Sequence, residues 1–103
     1  MADVDLTADE IGAYDVALVA NTAKTVLFAS RDLTEVEVAN SGGTTKVYVA
    51  FLDAGHARAA TVAGKHCYVV HPNTTATIPV RTDGATLVSL ISSGATTVDV
   101  SRT

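Results

Sequence analysis

The chain has 103 residues, enough for one domain and one hydrophobic core. Hydrophobic residues make up 48% and charged residues 17%, which excludes a disordered chain. The net charge of −4 comes with no cluster of Lys or Arg, so nucleic acid is not an expected partner.

Trp is absent, and Val and Thr supply 15 residues each. Both are β-branched and favour strands. The core must therefore be thin and built from Val, Ala, Leu and Ile. Cys67 is the single cysteine, so no intramolecular disulfide forms. The opening residues carry no basic region or apolar run of a secretory signal, and no apolar run approaches the length that spans a bilayer. Synthesis in a reducing cytoplasm, with no membrane partner, is the expectation.

Charge is uneven along the chain. Residues 1–15 hold Asp3, Asp5, Asp9, Glu10 and Asp15 and no base; the rest holds seven bases against six acids. Residues 1–12 are expected to form an acidic arm, with residues 13–103 as a single β-sandwich domain. Asp3, Asp5, Asp9 and Glu10 are the candidate partner-binding residues, meeting a basic surface on another protein; the plain alternative is a solvated terminus. Thr7 and Glu10 have the spacing of a capping box, but only a turn of helix fits before Gly12.

Residues 14–20 and 24–29 lean towards strand. In residues 34–38, Val36 and Val38 alternate with Glu35 and Glu37, the period of a half-buried strand. Asn40-Ser41-Gly42-Gly43 then supplies residues that tolerate positive φ in a turn. Residues 46–51 are apolar on both faces after Lys46, so that strand is central or has its outer face covered. Residues 53–65 are predicted as an extended loop with a short strand. Residues 66–70 read as a strand ended by His71-Pro72-Asn73. In residues 75–80, Ala76, Ile78 and Val80 alternate with Thr75, Thr77 and Pro79, and Pro79 places the strand at an edge or a bulge. Asp83-Gly84, between Val80 and Leu87, and Ser93-Gly94, between Ile91 and Val98, are hairpin signals, and the segments they connect are 86–92 and 96–101. About seven to nine short, mostly antiparallel strands make a small all-β sandwich or barrel.

Candidate chemistry is sparse. His66, Cys67 and His71 suggest a metal or thiol site, but in a strand His66 and Cys67 point to opposite faces, and Cys67 and His71 stand about 13 Å apart. A buried structural cysteine is the simpler reading. Asp53 with His56 lacks a local third member of an acid–base group. Asn73-Thr74-Thr75 matches a glycosylation acceptor by composition alone. Tyr14, Tyr48 and Tyr68 are taken as packing residues rather than a base-stacking platform, because basic residues are missing. No catalytic residue, metal or cofactor is expected, and the chain is not expected to be an enzyme. The Thr-rich segments suit flat docking on a protein lattice, sugar hydroxyls, or plain solvent-exposed strand positions.

The stretch 44–101 resembles small β-sandwich structural proteins encoded among the virion genes of tailed bacteriophages, notably of actinobacterial hosts. The likeness is carried by Lys46-Val47-Tyr48-Val49, Val62-Ala63-Gly64, Cys67-Tyr68-Val69-Val70, Ile78-Pro79-Val80 and Leu90-Ile91-Ser92-Ser93-Gly94-Ala95-Thr96-Thr97-Val98. It implies a virion structural protein, foremost a capsid decoration (cement) protein made in the host cytoplasm. Such a protein sits on the capsid exterior and binds the major capsid protein and copies of itself. A head–tail connector or tail component is the second reading, and a carbohydrate-binding or adhesion module the third.

Overall fold

A computed structural model describes residues 3–7, 9–29, 35–52, 58–79 and 86–102. Nine strands are present among them: β1 (Val4–Leu6), β2 (Gly12–Leu18), β3 (Lys24–Phe28), β4 (Glu35–Asn40), β5 (Val47–Leu52), β6 (Tyr68–Val70), β7 (Thr74–Pro79), β8 (Thr86–Ser92) and β9 (Thr96–Arg102). They form a five-stranded sheet, ordered β1-β3-β8-β5-β6, and a four-stranded sheet, ordered β2-β9-β4-β7. All pairs are antiparallel except β1 with β3. The protein is an all-β sandwich.

Period-2 alternation explains each layer. Val26, Phe28, Val88, Leu90, Val47, Val49 and Val70 point inward from the five-stranded sheet, and Val16, Leu18, Val36, Val38, Ile78, Val98 and Val100 from the other; all are buried. Among the described residues, nine of the fully buried side chains are valines, against one phenylalanine, Phe28. Each contributes about 1.5–3 kcal/mol, so stability comes from many small, tightly fitted contributions.

The N-terminal segment differs from expectation. It supplies strand β1, with Leu6 buried and Val4 packed against the core, so it belongs to the sandwich and is not an arm. Two alternating apolar residues suffice because β3 offers an open edge for parallel pairing, Val4 beside Val26 and Leu6 beside Phe28.

The hairpin expectations also need correction. The strands on either side of Asp83-Gly84 are β7 and β8, and those flanking Ser93-Gly94 are β8 and β9; in both cases they lie in different sheets. Asp83 and Gly84 themselves lie outside the described residues, as do Asp53, His56 and Val80. Of the eight connections, only β5 to β6 stays within a sheet; the other seven cross between layers. A tight turn reverses the chain, and the apolar face of the next strand decides which layer it joins.

Gly42 and Gly43 have a role other than positive φ. A Cβ on Gly42 would lie 2.5 Å from Cβ of Thr97, and one on Gly43 would lie 2.6 Å from Oγ1 of Thr96. The β4–β5 crossing thus lies directly on the start of β9. Positive φ is found instead at Asp15, Asn21, Ala63 and Asn73.

Candidate functional site

The segment 58–67 covers the outer face of the five-stranded sheet. Tyr48, Ala50 and Ile91 project from that face, and Ala60 and Cys67 pack on them as a second small apolar cluster. The Ala60 N–H donates to Oγ of the buried Ser89 at 2.9 Å, fixing the cover to the sheet. This accounts for a strand apolar on both faces. The segment contains turns and no strand among its described residues, contrary to the short strand expected there. Thr61 O accepts from Gly64 N–H at 3.0 Å, and Gly64 O from Cys67 N–H at 3.1 Å.

Because β6 begins only at Tyr68, His66 and Cys67 lie in a turn and their side chains meet rather than diverge. His66 Nε2 lies 2.9 Å from the Ala59 carbonyl, so that nitrogen carries the proton and donates. Cys67 Sγ lies 3.6 Å from the same nitrogen and donates to Thr61 O at 3.7 Å. His66 Nδ1 is buried without a partner among the described residues. His71 lies beyond β6, where its carbonyl accepts from Thr74 Oγ1 at 2.7 Å. Among the described residues no three of His, Cys, Asp and Glu gather as metal ligands.

The four acids singled out from the sequence serve largely local structure. Asp3 accepts from Thr25 N–H at 2.9 Å, clamping β1 to β3. Glu10 accepts from Thr7 N–H at 2.7 Å, the contact a capping box makes, but here it closes a turn between β1 and β2. Asp9 accepts from Thr7 Oγ1 at 2.6 Å. That bond foremost, then Asp9's own backbone N–H and, least, the charge of Arg102, hold its carboxyl below the usual range against an opposing effect of desolvation. Arg102 also donates to Glu10 O at 3.1 Å. Asp5 is exposed.

Sequence reasoning missed a bulge in β2. Ala13 pairs with Val100 and Val16 with Val98, so Tyr14 and Asp15 together oppose Asp99. Asp15 adopts φ 54°, and its N–H donates to Asp99 Oδ1 at 2.8 Å. The signal was there: buried positions 13, 16 and 18 step by three and then by two.

Exposed apolar side chains gather at the two lateral sides of the sandwich. β1 lies beside β2 on one side and β6 beside β7 on the other. Ile11, Tyr14 and Val19, more than half exposed, run along β2 and its flanks; Tyr68 and Val69 stand on β6, with Val62 in the segment before it. The two most exposed rings, Tyr14 and Tyr68, therefore stand on opposite sides.

No protein-family model and no curated protein matches the sequence. Solved structures do match in fold. The chain is similar to the crystal structure of PirA, with a TM-score of 0.61 at 11% identity over 91% of this chain and 94% of that one. It is similar also to CBM_E1, a carbohydrate-binding module from a sugar cane soil metagenome, solved with cellopentaose and a gadolinium ion. There the TM-score is 0.60 at 10% identity, over 100% of this chain and 94% of that one. At such identities the likeness is one of fold, and the fold is a β-sandwich.

Proposed function

We propose that this protein is a virion structural protein of the capsid-decoration type, acting by binding on the outside of a capsid lattice and performing no chemistry. One observation carries the reading: apolar side chains are exposed on both lateral sides of the sandwich, at β2 and at β6. A module that bridges neighbouring subunits needs two contact surfaces, and exposed apolar groups are what protein contacts bury. The resemblance of residues 44–101 to phage virion proteins supplies the class of partner, the major capsid protein. Each contact need contribute only a few kcal/mol, because many copies act together. Mixing the purified protein with undecorated capsids and sedimenting them should give saturable co-sedimentation, and a protein that stays in the supernatant at all concentrations overturns the reading.

The fold shared with CBM_E1 favours a second reading, a carbohydrate-binding module. Sugar recognition of this kind leans on exposed rings that stack on the pyranose faces, and here Tyr14 and Tyr68 share no face. Titration with cellopentaose, followed by amide chemical shifts, separates the readings: shifts confined to one sheet face support the module, and an unchanged spectrum removes it.

A further inference from the structure

A sheet edge is a row of backbone N–H and C=O groups that invites another strand unless something blunts it. Among the described residues this sandwich has four edges: β1 and β6 in one sheet, β2 and β7 in the other. Three are blunted. β1 has three residues and carries Asp5. β6 also has three. β2 has seven, but its bulge at Tyr14 and Asp15 breaks the ladder. β7 is different. It has six residues, Thr74–Pro79, pairs with β4 in unbroken register over all six, and carries no charged side chain. Thr74, Thr75 and Thr77 are exposed, and among the described residues no strand pairs with its outer side. Pro79, which lacks a donor, only ends the usable edge after residue 78.

We propose that β7 is a self-pairing edge, through which two copies of this chain join antiparallel over residues 74–78. The two four-stranded sheets then become one of eight strands. The choice of a second copy rests on charge. In a two-fold contact the same strand lies on both sides, so a charged strand meets its own sign close to the axis. β7 has no such charge, whereas β2, the other long edge, carries Asp15. A register centred on Ala76 sets Thr75 opposite Thr77 of the second copy, twice, on the outer face, where the facing hydroxyls hydrogen-bond. Thr74 then faces Ile78 of the second copy on the core side. The neighbouring β6 brings the exposed Tyr68 and Val69 to the same lateral side, adding apolar area to cover. So short a ladder buries little surface, and the contact is weak and reversible, gaining strength only where copies are held close together. It does not rest on the virion reading and goes beyond it, by naming what meets one of the two lateral sides.

The test uses the full chain and two surface variants, Thr75→Lys/Thr77→Lys and Thr75→Glu/Thr77→Glu. These positions are exposed, and circular dichroism verifies the fold. Sedimentation equilibrium from micromolar to millimolar concentration should show the wild type in reversible monomer–dimer exchange. Each variant alone should self-associate about tenfold more weakly, because like charges face each other twice. An equimolar mixture of the two should recover a heterodimer, and the alternate amides within residues 74–78 whose N–H groups point away from β4 should gain hydrogen-exchange protection with concentration. A wild type that stays monomeric at millimolar concentration overturns the proposal. So do variants that dimerise as the wild type does, or a mixture that forms no heterodimer.

Discussion

Thr96 Oγ1 donates a 2.7 Å hydrogen bond to Oδ1 of Asn40, and both side chains are buried. Through this contact Asn40 links much of one end of the sandwich. Its Nδ2 donates to Thr45 O at 2.8 Å and to Val70 O at 3.3 Å, the latter in the opposite sheet. Its backbone carbonyl accepts from Asn73 N–H at 2.8 Å. A core of valines is slippery in register, and a satisfied polar pin fixes how the two layers meet.

Replacing Asn40 by Ala removes partners from the Thr96 hydroxyl and from two carbonyls at once. The expected cost is about 3 kcal/mol, a fall in Tm of roughly 15 °C for a domain of this size. Thr96→Val should cost about 1–2 kcal/mol. The double variant should cost less than the sum, because the two share one bond. Urea and thermal unfolding of all four proteins give the cycle; strict additivity would show that the bond contributes nothing.

Gly42→Ala places a methyl group against Cβ and N of Thr97, the latter 2.8 Å away. Trimming the Thr97 side chain to Ala leaves both atoms in place. The expected loss is about 1–3 kcal/mol, and Thr97→Ala should not rescue it. A Gly42→Ala protein that melts with the wild type would mean the β4–β5 crossing moves away without cost.

Ser89→Ala deprives the Ala60 N–H of its acceptor beneath the covering segment. We expect about 1–2 kcal/mol of destabilisation. Hydrogen exchange at Ala60 should quicken far more than in the β9 strand, which would mark a local loosening rather than a global one.

Asp9 gives a pH dependence. Its carboxyl is held below its ordinary value, first by the Thr7 hydroxyl, so its contribution is present above the unfolded-state pKa. That contribution is lost as pH falls through the lower, folded-state value. Tm should therefore decline below about pH 4. Asp9→Asn and Thr7→Ala should each flatten that decline without altering the melt at neutral pH relative to one another.

Much of the fold was legible locally. Val36 and Val38 against Glu35 and Glu37, and the apolar run after Lys46, announced β4 and β5 with their faces. Pro79 marked β7 as an edge strand or a bulged one, and it is an edge strand in unbroken register. The Thr7–Glu10 spacing correctly joined those two residues, although the turn they close starts no helix. The β2 bulge escaped notice because its step of three looks like broken alternation until Asp99 is seen opposite it. His66 and Cys67 were placed on opposite faces because β6 was read two residues too long, and a turn turns side chains together where a strand parts them.

By itself the sequence determined strand content, the inward residue of each alternating pair, the Val-rich character of the core and the places where the chain reverses. These are properties of neighbouring residues, set by backbone sterics and the two-residue pleat. Only the tertiary structure decided which layer each strand joins, that residues 4–6 are a strand of the sandwich, and that β7 is left as the long, unblunted edge. Those outcomes depend on contacts between residues far apart in the chain, where a glycine turn permits either a hairpin or a crossing and burial of the next apolar face settles which.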